Sequence, residues 1–371
     1  MSTFSVQIKR IRAIEPHPNA DAIELAVVDG YRSVVRKGAL SAGDLVAYIP
    51  EQAVLPEGVL RELGMWDDGK NCGKLSGKEG NRVKAIKLRG ELSQGLIYAM
   101  SDVAEGDDVT ERLGITKYEP PIPVHLAGEV FNIGAENTIA FDVENWKSWP
   151  DVIQEGEDVI ITEKLHGTFT GVMVLPVGET HPEAFGKHKN ILIFSKGLGA
   201  KGLVFKNNER NKDNIYVRAT RGLVANIDTL IESCYADGLS FRSQRAAFFL
   251  GETYGKGVQD LHYGEALGFR MFAAGEGNRR DSIKYDDWHT LSEIVCPDVG
   301  VETVPVLYKG PFSVELAREL AKGKTTLGAD HIREGIVITP AIERQHPKLG
   351  RVCLKMVSDQ YLTRKNGTEF I

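Results

Sequence analysis

From residue 4 to residue 100 the chain alternates apolar and polar residues in short bursts: "FSVQIKRIRAI", "IELAVVD", "YRSVVRKG", "DLVAYIP", "NRVKAIKLRG" and "QGLIYAM". Period-two alternation turns one face of each burst to a core and the other to water. Gly, Asn and Asp turns separate the bursts at short intervals, which suggests a small barrel rather than βαβ units. This region therefore predicts a small antiparallel barrel of five or six strands. One insertion, "LPEGVLRELGMW", has Pro56 near its start and apolar residues at helical spacing, and it predicts a single helix between the fourth and fifth bursts.

Five or six strands with one helix before the last of them fit an OB-type barrel over residues 1–116. The opening "HPNADAIELAVVDG" also resembles the start of tRNA-binding OB modules. Then "KYEPPIPVHLAGE" places three prolines in a short span, which breaks both helix and strand periodicity. We read 117–135 as a linker between domains; an ordinary proline-rich loop inside one domain has the same composition. Beyond it, strand-like runs such as "EDVIITEKL", "TFTGVMVLPV", "NILIFSKG", "RAAFFLGE", "GFRMFAAG", "EGIVITP" and "RVCLKMV" mix with helical spacing in "NIYVRATRGLVANIDTLIESCYADG", "DDWHTLSEIV" and "SVELARELAKG". There is no repeating βα rhythm, so residues 136–371 predict an α+β domain of antiparallel sheets with flanking helices. A chain of 371 residues has room for two such cores.

Apolar runs such as "AAFFL" fall far short of a membrane span, and "MSTFSVQIKR" has no apolar signal core, so the reading is cytoplasmic with no membrane partner. Cys72, Cys234, Cys296 and Cys353 form no CxxC pair and read as structural thiols. A net charge of −6 leaves a nucleic acid only local patches to bind. Residues 70–89 and 187–221 are the two basic stretches, although a basic run is also what a solvated face looks like. The segment "LAKGKTTLG" imitates a P-loop, but the first glycine of that motif would fall at Arg318, behind a helix-like run where a strand is required.

The stretch "EDVIITEKLHGTFTGVMVLPV" sets Lys164, His166 and Gly167 where two apolar strands meet, reading as a hairpin. A lysine is a nucleophile only as the neutral amine, so a catalytic Lys164 needs its pKa lowered by burial or by nearby positive charge. Gly167 would let the backbone approach a ligand, and Thr168 would offer a hydroxyl. A hairpin turn with solvated side chains accounts for the same residues equally well.

Taken with later segments, "EKLHGT" resembles motif I of the covalent nucleotidyltransferases, the superfamily of polynucleotide ligases and capping enzymes. That pattern is KxDG; His166 stands in the Asp position, as in the similar RNA ligase 2-like branch. In the same order, "FSKGLG" resembles motif Ia, "FLGETYG" motif III, "GFRMFAA" motif IIIa, "REGIVI" motif IV and "CLKMVS" motif V. The resemblance implies Lys164 as the acceptor of AMP, with Lys355 beside it in catalysis. It implies Glu163, His166, Gly167, Lys196, Glu252, Phe272, Glu334 and Lys355 around the nucleotide, with Phe272 stacked on adenine. Glu252 and Glu334 would hold a Mg2+ or Mn2+ ion through its water. Motif V often carries two lysines; here Cys353 and Val357 leave one, with Arg351 nearby. Only sixteen residues follow Lys355, too few for the C-terminal OB domain of DNA ligases and capping enzymes, and the barrel lies in front instead. That order is similar to the type 5 group of RNA ligases, as are "NRVKAIKLRGELSQGL" and "DVENWKSWP". The implied activity is ATP-dependent joining of 3′-OH and 5′-phosphate ends in nicked or broken RNA, or in RNA/DNA duplexes with a ribose 3′ end, by a monomer. A capping-type guanylyltransferase, a DNA ligase or a non-catalytic RNA-binding OB protein are the alternatives.

Overall fold

The computed structural model describes residues 4–119, 127–176, 178–236 and 245–364. Pro120, Pro121 and Pro123 of the expected linker lie outside the described residues.

In the N-terminal region β1 (Gln7–Pro16), β2 (Ile23–Val28), β3 (Tyr31–Arg36), β4 (Leu45–Ile49) and β5 (Leu96–Ala99) form one curled antiparallel sheet in the order β5-β4-β1-β2-β3. The long β1 turns the corner. Its first half pairs with β4 and its second with β2, and the register slips between Ile11 and Ala13. Such a bulge bends a strand enough for it to serve two partners. The edge at β3 is joined to the chain entering β5, where Gln94 N donates to Arg32 O at 2.8 Å and Val34 N donates to Ser93 Oγ at 3.0 Å. The result is an OB-type half-barrel around Ile8, Ala47, Ile49, Leu55 and Leu60. The expected helix is Glu57–Glu62, entered from Pro56. The fifth burst departs from expectation: Ile86–Leu88 pairs only with Glu91–Ser93 as a separate hairpin outside the main sheet. His17 Nε2 holds that hairpin through Leu88 O (3.1 Å), and Asn19 through Arg89 O (3.0 Å), which explains the "HPN" opening as a clamp.

The rest of the described chain builds two further sheets from β6 (Asp158–Lys164), β7 (Thr168–Val174), β8 (Ile191–Ser195), β9 (Ala247–Gly255), β10 (Leu267–Glu276), β11 (Val306–Pro311), β12 (Gly335–Pro340) and β13 (Leu354–Val357). One sheet runs β13-β12-β6-β11, with Glu144–Asn145 beyond β13; the other runs β8-β7-β9-β10, with Lys284–Tyr285 beyond β10. Every residue of β7 is buried, because its sheet is covered on both faces. One face takes Tyr216, Leu223, Ile227 and Ile231 of the helices Ile215–Ala219 and Arg221–Ala236. The other takes Phe131, Ile139, Phe194 and Phe248. Each such fully buried aromatic contributes roughly 1.5–3 kcal/mol over its exposed state. The first sheet packs Ile161, Ile336 and Leu354 against Trp146 and the helix Val314–Leu320.

This pairing overturns the expected hairpin. β6 bonds to β11 and β12, whereas β7 bonds to β8 and β9, and the two strands share no ladder. A two-residue hairpin needs residues at positive φ to fold back, and none of Leu165, His166 and Gly167 has one. The "LHG" passage instead carries the chain from one sheet to the other.

Candidate active site

Because the chain crosses between sheets at this turn, Lys164 stands at the edge of a cleft that both sheets line. The cleft holds a cavity of about 340 Å³ lined by Lys164, Lys196, Glu252, Phe272, Glu334 and Lys355, among others. The first sheet supplies Lys164, Glu334 and Lys355, since Lys164 pairs with Gly335 and Val337 with Lys355 across adjacent strands. The second supplies Glu252 from β9, Phe272 from β10, and Lys196 immediately after β8.

The charges in the cavity are tightly coupled. Lys164 Nζ lies 2.5 Å from Glu334 Oε1. Burial opposes the charge on Lys164, but Glu334 and Glu252 outweigh it and hold the ammonium above its ordinary pKa. A lowered pKa is expected of a nucleophile, and here the shift runs the other way because both neighbours are carboxylates. Burial, opposed by Lys164 and reinforced by Glu334, pushes the Glu252 carboxyl up to about 8. Burial acts upward on Glu334 as well, yet Lys164 and His166 bring it below the usual range. Lys355 is shifted down by burial, against the pull of Asp142.

Asp142 carried no expected role. It bonds Lys196 Nζ at 2.8 Å and lies close enough to Lys355 that both lysines hold its carboxyl low against burial. Its neighbour Phe141 stacks on Phe272, with centroids 5.2 Å apart at 27°, so this wall of the cavity is an aromatic pair. Asp142 and Phe141 sit in no periodic pattern; Asp142 falls only at the edge of the likeness in "DVENWKSWP".

Glu163 also lines the cavity, but its carboxylate accepts from Thr326 N at 2.8 Å and lies 3.6 Å from Arg333. Gly167 has a packing reason: a Cβ there would come within 2.2 Å of Thr253 O. Thr168 Oγ1 bonds the Tyr216 hydroxyl at 3.0 Å. Arg351 reaches the cavity lining while ion-paired to Glu343, with its guanidinium 4.1 Å over the Tyr285 ring. His166 is 2 % exposed, with Nε2 2.9 Å from Asp260 Oδ1 and Nδ1 2.8 Å from the Tyr361 hydroxyl. Asp260 and Tyr361 have no sequence signal linking them to motif I.

Among the described residues no group of three His, Cys, Asp or Glu is arranged to hold a metal ion. The donor set nonetheless fits a hard divalent cation kept largely in its own water. Glu252 and Glu334 face one cavity, and Glu334 disfavours the charge on Glu252.

The basic stretch at 187–221 is less of a patch than its sequence suggests. Lys187 pairs with Glu232 (2.8 Å), Lys206 with Glu183 (2.6 Å) and Arg210 with Glu129 (2.5 Å). In the other stretch the hairpin Ile86–Ser93 exposes Ile86, Lys87, Leu88 and Arg89 together. The two halves of the chain also meet. Gly30 N donates to Lys147 O at 2.7 Å, the Tyr31 hydroxyl lies 2.8 Å from Ser148 Oγ, and Lys147 Nζ donates to Gln94 Oε1.

The profile of the RNA ligase family matches residues 157–357, which span the whole of this cavity's lysine and carboxylate set except Asp142. The chain belongs to the RNA ligase family. An OB-fold domain profile matches residues 5–100. The chain is similar to a variant of the Naegleria gruberi RNA ligase solved with AMP and Mn, at 25 % identity and a TM-score of 0.73, covering 97 % of this chain and 98 % of that one. It is similar also to the Naegleria gruberi RNA ligase solved with PPi, at 25 % identity and a TM-score of 0.71, with the same shares covered. No curated protein matches the chain. Four free cysteines complete this RNA ligase, with Cys353 buried beside Lys355, and no helix among the described residues is long and apolar enough to cross a membrane.

Proposed function

We propose that this RNA ligase is ATP-dependent and works through AMP carried covalently on Lys164. The observation behind this reading is one cavity that gathers Lys164, two carboxylates, two further lysines and an aromatic face. In-line attack on an α-phosphate needs a nucleophile, positive charge for the oxyanion, and a surface for the base. The related structures with AMP and Mn, and with PPi, support it.

Neutral Lys164 attacks the α-phosphorus of ATP; a P–N bond forms and the bond to pyrophosphate breaks. AMP then passes to a 5′-phosphate end, and a 3′-OH attacks that phosphate, joining the strand and releasing AMP. Lys196 and Lys355 contact the nucleotide phosphate, Phe272 stacks on adenine, and His166, Gly167 and the backbone at Glu163 shape the Lys164 turn. Glu252 and Glu334 would hold Mg2+ or Mn2+, which would supply charge stabilisation at the phosphate oxygens. The substrate is a nick or break with RNA at the 3′-OH side, held by the barrel of residues 1–116 and its basic hairpin, with the chemistry in the domain beyond; the end of the expected 117–135 linker belongs to that domain, since Phe131 packs in its core and Val130–Asn132 pairs with Leu203–Phe205. The protein acts as a cytoplasmic monomer.

The two lysines differ in charge balance, which makes the acceptor worth mapping: burial shifts Lys355 toward the neutral amine, whereas Glu334 and Glu252 outweigh burial and hold Lys164 charged. A phosphate beside Lys355 restores its charge, and any loss of the Glu334 contact frees the proton of Lys164. Peptide mapping after incubation with labelled ATP or GTP decides the matter. AMP on Lys164, absent in Lys164→Ala, is the expected result. An adduct on Lys355 overturns the assignment, a GTP adduct indicates a capping-type enzyme, and no adduct leaves an RNA-binding protein. Nicks with ribose or deoxyribose 3′ ends separate RNA from DNA ligation.

A further inference from the structure

His166 stands where the superfamily pattern has an acid, and its ring is enclosed. Nε2 lies 2.9 Å from Asp260 Oδ1, a carboxylate that accepts from it, and Nδ1 shares a hydrogen bond of 2.8 Å with the Tyr361 hydroxyl. Asp260 is also met by Arg364 at 3.2 Å, and the Arg364 guanidinium lies 3.6 Å over the Tyr361 ring. His166, Asp260, Arg364 and Tyr361 thus close a ring of contacts. The backbone joins in: His166 N donates to the Tyr263 hydroxyl at 2.7 Å, and Gln259 bonds Gly167 O.

The segment bearing Tyr361 is stitched to the other side of the site as well. Ser358 N donates to Glu334 O at 2.9 Å, and Ser358 Oγ caps the short helix Asp359–Leu362 through Tyr361 N at 3.1 Å. One short element therefore grips the turn that follows Lys164 and the backbone of Glu334, its ion-pair partner. Tyr361 and Leu362 also line the cavity.

We propose that His166 is a positioning residue that docks the segment Ser358–Arg364 onto the Lys164 turn, and that Tyr361 acts through it to set the placement of Lys164 against Glu334. This rests on the reading of Lys164 as the AMP acceptor. An acid at position 166 would lie buried beside Asp260 and within reach of Glu334, which is 3.8 Å from Nδ1, so the superfamily residue is excluded here by like charge.

The test uses the full chain and follows the rate of AMP attachment to Lys164 against ATP concentration, with the folded fraction set by thermal melting. Tyr361→Phe removes one hydroxyl and keeps the ring under Arg364. It is expected to slow attachment at saturating ATP about five- to tenfold with the KM for ATP within about twofold. His166→Asn, which keeps an acceptor near the Nδ1 position, should retain more rate than His166→Ala, and His166→Asp should not. Adding Tyr361→Phe to His166→Ala should cost nothing further. Wild-type rates in Tyr361→Phe, losses that multiply in the double variant, or a fully active His166→Asp overturn the proposal while leaving Lys164 as acceptor. A wild type that attaches no AMP to Lys164 overturns both.

Discussion

Replacing Glu252 by glutamine in the metal-free protein tests the charge coupling in the cavity directly. In the folded chain this carboxyl is pushed from 4.5 to about 8, chiefly by burial and then by Glu334 working against Lys164. Between those two values the folded state keeps a proton that the unfolded chain has released. The folded state therefore binds more protons there, and stability falls as pH rises. At about 1.4 kcal/mol per pH unit the whole interval corresponds to at most about 5 kcal/mol, and water in the open cleft lowers the realised figure to a few kcal/mol. Glutamine is neutral throughout and keeps the shape. Urea unfolding with chelator present, at pH 5.5, 7 and 8.5, should give Glu252→Gln a surplus over wild type that is smallest, about 1 kcal/mol, at the lowest pH and grows to a few kcal/mol at the highest. The raised pKa of Lys164 and the lowered pKa of Glu334 change stability outside this interval, above about 10.5 and below about 4.5, so they do not imitate the effect. Lys355, present in both proteins, cancels to first order in the comparison. A Glu252→Gln protein whose stability follows pH with the wild-type slope refutes the reasoning.

Three further outcomes are expected. Phe272→Ala leaves Phe141 without its partner and removes the base platform, and isothermal titration of Lys164→Ala protein with ATP should show a loss of about 1–3 kcal/mol in affinity. Gly30→Ala places a Cβ 2.8 Å from Lys147 Cα where the barrel meets the catalytic region; AMP attachment should persist while sealing of nicked RNA falls more than tenfold. Binding of duplex RNA should weaken steeply from 50 to 200 mM salt, and Lys87→Ala with Arg89→Ala should flatten that slope, as gel-shift titrations would read.

Much of this was legible in the sequence. Alternation located five barrel strands and the helix after Pro56 because a half-buried strand writes its burial directly into its residues. Ile86–Leu88 misled because a surface hairpin with exposed Ile86 and Leu88 has the same pattern as a barrel strand. The ordered motifs placed Lys164, Glu252, Phe272, Glu334 and Lys355 in one cavity. What they did not contain was strand pairing. The junction at Leu165–Gly167 reads as a hairpin unless one knows that β6 and β7 belong to different sheets, and the sign of the Lys164 shift depends on that same geometry. Asp142, Asp260 and Tyr361 were invisible for a related reason. Each is a single polar residue in irregular or terminal structure, and its role arises only from a partner far along the chain.

The placement of the site on two sheets determines what must change for Lys164 to react. The cleft is crossed by several ties. The turn Leu165–Gly167 joins the sheets covalently. The segment at 302–305 bonds Met271 of one sheet through Glu302 O (3.0 Å) and Val304 N (2.9 Å), and Glu163 of the other through Pro305 O (2.9 Å). The C-terminal segment adds the Ser358 and Tyr361 contacts to Glu334 and His166. With both walls tied at three places, and Phe272 already stacked on Phe141, the binding surface is formed in advance. What stands between this surface and the proposed reaction is local and electrostatic: Glu334 holds the Lys164 ammonium at 2.5 Å. On the proposed assignment of Lys164 as the AMP acceptor, loss of that contact is the change the reaction requires, and the carboxylate nearest the lysine is the group that must give way.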